Sequence, residues 1–556
     1  MKLFYLFSLL FLQLSLFGFS NEESIEALRP SSAPLLKGLI LVEDKEDLNL
    51  QGYQDVRGVL SYHVCLPVDS STLQSALCNY FYSPISKETI LEIKRVITEY
   101  YRENGRPVIV ISVPEQDISA GVLQLIIIEG TLGEVIVQGN NWFCSERFEE
   151  AIRIQPGEVL SSGILNQDLY WMNRNPFRQI DALFTPGEVD GTTDIELIVS
   201  DRFPLRLYTG LDNTGNDVTG NNRFFAGFNW GNVFNTDQTL SYQYATDTEF
   251  DRFQSHTLFY EVPLPWRHLL FIYGGYSHVD AKFHIPEIKT TKFRTHGFSV
   301  QASFRYDIPL KADAFLHEFM WGFDFKRTNN NLDFGGRPVI SCTLVNLTQL
   351  MLGYNLGYEN GPVTVSFEIE GFYSPGKWIA DQTNRDYHSL RPFAENHYFY
   401  ARSAFTLIWC YFEDWAMHNY LRGQVASTNL LPSEEYGVGG SNTVRGYKER
   451  IVNGDNAFIW NFEMRTPAFS ILRTFRDSAN CNDECLFLVF FDYGWESVHH
   501  KTKEQKKSQF LAGIGPGVRY NINPYIQFKA DWGFQLHHLP CEGPHRRWHF
   551  SLIAGY

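Results

Sequence analysis

From Pro204 to Tyr556 the chain reads as strands and turns, with aromatic side chains on one strand face and polar or charged ones on the other. In YIQFKADWGFQ, Ile526, Phe528, Ala530, Trp532 and Phe534 alternate with Gln527, Lys529, Asp531 and Gln535. In AFIWNFEMR, Phe458, Trp460, Phe462 and Met464 alternate with Ile459, Asn461, Glu463 and Arg465. A soluble sandwich also alternates, but it turns its aromatics inward and leaves its polar face to water. A strand-only region this long, with aromatic strands and charges on the opposite face, predicts a transmembrane β-barrel. Roughly 350 residues, at about 20 to 25 per membrane strand with its turn or loop, give about sixteen antiparallel strands. The last segment, RWHFSLIAGY, alternates Trp548, Phe550, Leu552, Ala554 and Tyr556 and is expected to close the barrel, because an open edge is intolerable in lipid.

Composition agrees with this. Aromatics make up 15% of the chain, and the net charge of -16 argues against a general nucleic-acid binder. Beyond the N-terminus no stretch of about eighteen uninterrupted apolar residues occurs, which disfavours helical membrane spans. Residues 1–20, MKLFYLFSLLFLQLSLFGFS, read as a secretory signal cleaved near Ser20, with a single N-terminal membrane anchor as the alternative.

Residues before 204 follow another grammar. In SKETILEIKRVITEYYRENG, Ser86 is the expected N-cap, Ile90, Ile93, Ile97 and Tyr100 recur at helical spacing, and Gly105 is the stop. PVIVISV and VLQLIIIEG follow as strands. LGEVIVQGN, SERFEEAIRI, SSGILNQDLYWMNRNP, RQIDALFTPG and TDIELIVSD repeat the pattern as strand, helix, helix, strand, strand. Two α+β units are therefore expected, over 51–130 and 131–203, ahead of a barrel over 204–556.

Several local patterns have a plain reading. The eight cysteines are scattered; Cys481 with Cys485 and Cys65 with Cys78 are possible disulfides or free thiols. His537, His538, Cys541 and His545 fit no zinc motif and read as a surface loop. Asp212, Asn213, Gly215 and Gly220 suit the first barrel hairpin rather than a calcium loop. GIGPG, Gly513–Gly517, lacks the P-loop lysine and reads as wall glycines. The basic run His499–Gln509 reads as an external loop. No G-x-S-x-G elbow or H-E-x-x-H zinc helix occurs, so neither catalysis nor a metal or cofactor is expected.

GVGGSNTVRGY, Gly437–Tyr447, sets one arginine at the tip of a glycine-rich turn. With FFDYG, and with VPEQDISAGVLQLIIIEG and NRNPFRQIDALFTPGEVDGTTDIELIVSDRFPLRLYTGLDNTGNDVTG upstream, it resembles the outer-membrane transporters of two-partner secretion, the TpsB branch of the Omp85 superfamily (ShlB/FhaC/HecB type). The likeness runs from about residue 50 to the C-terminus. It implies α+β POTRA repeats in the periplasm, followed by an all-β barrel in the outer membrane. It also implies a sixth-loop hairpin near 430–450, folded into the lumen, with Val444, Arg445, Gly446 and Tyr447 at its tip. Arg445 would pair with Asp492 of the wall motif Phe490, Asp492 and Gly494, in a wet lumen that weakens the pair. The POTRA signatures would be Pro114, Gln116, Asp117 and Gly121 in the first unit, and Asn175, Pro176, Gly187, Gly191 and Asp194 in the second. Residues 21–50 would be a linker, with EESIEALR a candidate plug helix. The implied partners are a large β-helical, TpsA-like secreted exoprotein as substrate, outer-membrane lipid, and the barrel assembly machinery for the chain's own insertion. The rival within the superfamily is an insertase of other barrels, for which more than two POTRA repeats would be expected.

Overall fold

In the computed structural model, residues 33–556 are described apart from 65, 69, 190, 218, 285–291, 313, 330–343, 476–481 and 540–543. The expected signal and plug helix lie outside the described residues, as do Cys65, Cys481 and Cys541. The chain forms two compact units. One holds the residues up to Gly133 with Pro156–Ser162 and Pro186–Thr193; the other holds Glu134–Gln155, Gly163–Thr185 and Asp194–Tyr556.

The first unit runs β1 (Gly38–Val42), β2 (Gly58–Tyr62), α1 (Ser70–Leu77), α2 (Lys87–Glu103), β3 (Ile109–Ser112) and β4 (Val122–Glu129). Its sheet has the order β2-β1-β4-β3, with β1 parallel to both neighbours and β3 antiparallel to β4. Ser86 caps α2 by accepting from the Thr89 amide at 3.2 Å, as its position predicts. Ile93, Ile97 and Tyr101 of α2 pack with Leu73 and Leu77 of α1 against Leu39, Leu41, Leu123, Leu125 and Ile127.

The expected start at residue 51 is too late, because β1 lies inside the segment assigned to a linker. All five residues of GLILV are buried, Ile40 and Val42 on the face opposite the helices, against Leu48, Tyr53 and Val56. A strand covered on both faces is apolar throughout and shows no alternation, so the period-two signal is silent there.

The same order with one strand fewer recurs in β5 (Thr131–Gln138), α3 (Ser145–Ala151), α4 (Ser162–Met172), β6 (Arg178–Pro186) and β7 (Thr192–Asp201), with sheet order β5-β7-β6. Sixteen strands then close a barrel, from Leu205–Asp212 to Arg546–Gly555. The last strand pairs antiparallel with the first, Ser551 opposite Asp212 through Gly555 opposite Tyr208. Facing follows the alternation: Phe458 and Trp460 are exposed on the outer wall, whereas Ala457, Ile459, Asn461 and Glu463 are buried. No helix among the described residues is long and apolar enough to cross a membrane.

Candidate functional site

Between strands Trp415–Ala426 and Asn456–Arg465 runs the sixth connection on one rim of the barrel, and it turns into the barrel. Tyr436–Val438 pairs with Val452–Gly454 as a short hairpin, and the tip lies beyond it. Val444, Arg445 and Tyr447 there are 0%, 3% and 0% exposed. Gly446 has φ +98°, a region where a Cβ would be strained. The wall makes room in return: a Cβ on Gly513 would strike the Arg445 carbonyl oxygen, and one on Gly533 the Gly446 nitrogen. The tip therefore lies backbone against backbone on two wall strands. The Gly446 amide donates to His549 Nε2 at 3.1 Å, its carbonyl accepts from Gln535 Nε2 at 2.9 Å, and the Tyr447 hydroxyl donates to the Ala512 carbonyl at 3.0 Å.

Arg445 makes the densest set of contacts. Its Nε donates to Asp492 Oδ2 at 2.7 Å, its Nη2 to Asp492 Oδ1 at 2.8 Å, and its own backbone amide to Asp492 Oδ2 at 3.0 Å. Nη1 donates to Glu463 Oε1 at 2.6 Å and lies 3.5 Å from Asp531. The guanidinium carbon sits 3.6 Å from the centre of the Phe490 ring. These contacts explain the wall motif. Phe490, Asp492 and Gly494 are two apart on one strand and so face the same way. The ring stacks on the guanidinium, the carboxylate accepts from two guanidinium nitrogens and the Arg445 backbone amide, and the absent side chain leaves space for the methyls of Val438 and Val444.

The pair itself is buried, which corrects the expectation of one weakened by solvent: Asp492 is 0% and Arg445 3% exposed. Burial works against the charge on Arg445, but Asp492, Glu463 and Asp531 outweigh it and hold its pKa above the ordinary value. Glu463 and Asp531 have second cations, Arg465 at 2.5 Å and Arg519 at 2.7 Å, whereas Asp492 pairs with Arg445 alone among the described residues. Removing one partner of such a buried pair costs about 3 to 5 kcal/mol. Sequence reasoning missed Glu463, Asp531, Asn461 and His549 as partners of the tip. Their signal was present, since all four lie on the inward positions of their strands.

A second strap was not legible. Arg391 follows a short helix, Asn384–Leu390, in the connection before the strand Tyr398–Tyr411. It donates to Asp455 at 2.5 and 3.2 Å and to the Leu430 carbonyl at 2.6 Å, and lies 2.9 Å from Glu435. Nearby, Glu434 accepts from Lys326 and Tyr400, each at 2.7 Å; against the pull of burial, the charges of Lys326 and Arg402, with these hydrogen bonds, hold its carboxyl down at about 2. Burial pushes Glu435 the other way, to about 7, with Arg391 opposing.

The remaining signature residues serve the two α/β units. Gln116 clamps β4, accepting from the Gln124 amide at 2.7 Å and donating to its carbonyl at 2.8 Å. Pro114 offers its carbonyl to Gln116, Asp117 accepts from the Ser119 amide at 2.9 Å, and a Cβ on Gly121 would strike the Leu35 carbonyl oxygen. Asp194 accepts from the Glu134 amide at 2.8 Å; Gly187 donates to the Thr192 carbonyl at 3.0 Å, and Gly191 turns the same hairpin at φ +87°. Asn175 reaches the barrel, donating to the Gly231 carbonyl at 2.6 Å and to Asp237 at 2.9 Å, and the Pro176 carbonyl accepts from Arg202 at 2.9 Å. Cys78 is exposed and Cys485 buried. His537, His538 and His545 lie on the rim connection between the last two strands.

Among known proteins, a family model described as haemolysin secretion/activation protein ShlB/FhaC/HecB matches residues 191–520, and a ShlB-type POTRA domain matches residues 67–130. The outer membrane transporter CdiB of Dickeya dadantii is 24% identical over 408 residues, covering 69% of this chain and 67% of that protein. The heme/hemopexin transporter protein HuxB of Haemophilus influenzae is 21% identical over 492 residues, covering 82% and 78%. The solved structure of CdiB from Escherichia coli superposes with a TM-score of 0.72 at 15% identity, over 97% of this chain and 93% of that one, a likeness of fold. The chain thus belongs to the ShlB/FhaC/HecB family, the outer-membrane transporters of two-partner secretion, with its barrel in the outer membrane and its POTRA domains in the periplasm.

Proposed function

We propose that this transporter exports one large exoprotein of the TpsA-like, β-helical kind, and that the sixth-loop hairpin is the latch the substrate must displace. The unfolded substrate, with unpaired backbone groups, is taken up at the POTRA sheets by strand addition. It passes through the lumen as an extended chain and folds outside, which removes the reverse path by mass action. The observation that carries this reading is the pinning of Arg445 by Asp492 inside the barrel, since a chain crossing that space has to move the hairpin. A buried pair of this size suits a latch, because binding of a long substrate can offset a few kcal/mol. In the same proposal residues 1–20 direct export, the barrel assembly machinery inserts the barrel, and its aromatic outer wall meets lipid.

The test compares the surface and culture-supernatant proteomes of cells carrying the native chain, no chain, or Arg445→Ala, with heat-modifiable barrel held at equal levels. Disappearance of one large exoprotein in the last two, with other outer-membrane barrels unchanged, is the expected result. A joint fall of many barrels, with no exoprotein singled out, would replace export by insertase activity.

A further inference from the structure

The strand Leu269–His284 rises from a turn where Arg267 lies 2.7 Å from Asp168 of α4, and it pairs along its length with Lys292–Ala312. Ile272 and Tyr276, 42% and 45% exposed, mark its outward face. His278 and Asp280 continue that face toward the far rim, and the register sets His296 directly opposite Asp280. The three side chains converge. His296 Nδ1 contacts Asp280 Oδ1, His278 Nε2 lies 3.8 Å from the same oxygen, and one ligand atom from each residue falls within 4.8 Å of the others. The two imidazoles stack 6.2 Å apart at 22°.

We propose that His278, Asp280 and His296 form a binding site for a borderline transition-metal dication, Zn2+ foremost, on the outer rim of the barrel. An imidazolium–carboxylate pair needs one histidine; a second imidazole aimed at the same oxygen is what a metal uses. Two nitrogens and one carboxylate oxygen suit Zn2+, Ni2+ or Cu2+, whereas Ca2+ and Mg2+ require an oxygen shell. In a tetrahedral zinc shell neighbouring ligand atoms lie about 3.3 Å apart, so the site closes by small side-chain rotations. Asp280 is the fixed member: its side chain is 16% exposed, and its backbone amide donates at 2.8 Å to the carbonyl of Arg252, which directly precedes the neighbouring strand Phe253–Pro263. The imidazoles, 38% and 58% exposed, are the adjustable ones. Three ligands leave a fourth position open to water, and the bound ion would staple the two strands at their outer ends.

The experiment titrates Zn2+ into untagged full-length protein in detergent, against a chromogenic chelator, with excess Ca2+ and Mg2+ present. His278→Asn, His296→Asn and the double variant are compared with His538→Asn, which removes a histidine of another rim connection, and heat-modifiability verifies folding throughout. One Zn2+ per chain is expected for the native and His538→Asn proteins. Affinity should fall by roughly 100-fold or more in either single variant, at least what even a supporting group around a metal can be worth. Co2+ should give a visible absorption band in the native protein that the double variant lacks. Equal uptake by the native protein and the double variant, or no uptake by the native protein, would overturn the site.

Discussion

Two ion-pair clusters in the larger unit use the same chemistry with different redundancy. In the lumen one arginine serves Asp492, whose loss of Arg445 leaves a carboxylate at 0% exposure with no cation. At the turn below the barrel the arrangement is reversed: Asp168, also 0% exposed, is shared by Arg153 and Arg267, each at 2.7 Å. The first cluster can be opened by removing one side chain, whereas the second tolerates such a loss. In the proposed latch the contact that has to release is built on one charge, whereas the joint at Asp168 is built on two.

The largest expected effect that tests this contrast is Arg445→Ala. It should cost the sixth-loop hairpin about 3 to 5 kcal/mol, seen as faster amide exchange over residues 437–447, with Asp492→Asn weaker because Glu463 still holds the guanidinium. Arg391→Ala comes next, at about 3 kcal/mol, because it strands Glu435 and Asp455 together; it should loosen residues 427–436 and leave the tip protected. Gly533→Ala, which drives a Cβ into the Gly446 nitrogen, should cost about 1 to 3 kcal/mol and displace the tip without touching any charge. Arg267→Ala should change stability by less than about 1 kcal/mol, since Arg153 remains and Arg267 is partly exposed. A drop as large as that of Arg445→Ala would erase the contrast.

The smallest effect is in pH. Glu435 has its pKa raised from 4.5 to about 7, so the folded loop holds a proton that the unfolded loop releases. Its stabilising contribution is complete below pH 4.5 and is lost as pH rises through about 7. The protection of amides near residue 435, with the intrinsic pH dependence of exchange divided out, should therefore fall between pH 4.5 and 7 in the native protein, a fall that Glu435→Gln removes.

What was readable in the sequence followed periodicity. Barrel facing and the Ser86 cap came from spacing, strand number from the length of the strand-only region, and the Arg445–Asp492 pairing from two short motifs in a known family pattern. The further partners Glu463 and Asp531 stood on the polar faces that the alternation identified, but alternation does not say which inward residues converge across a lumen. β1 escaped because burial on both faces erases its period. Arg391 escaped for a different reason: its partner Asp455 is 64 residues away, and no local pattern records such a contact. The burial of the pair was also beyond reach, because it depends on the loop tip packing into the space that the wall glycines Gly513 and Gly533 leave open.

The central claim, that one arginine pins the sixth-loop hairpin inside the barrel, is tested most directly by amide hydrogen exchange on the purified full-length protein and its Arg445→Ala variant. The account predicts slow exchange over residues 437–447 in the native protein and fast exchange in the variant, with the wall strand Asn482–Ser497 equally protected in both. Equal protection of the hairpin in the two proteins would contradict it.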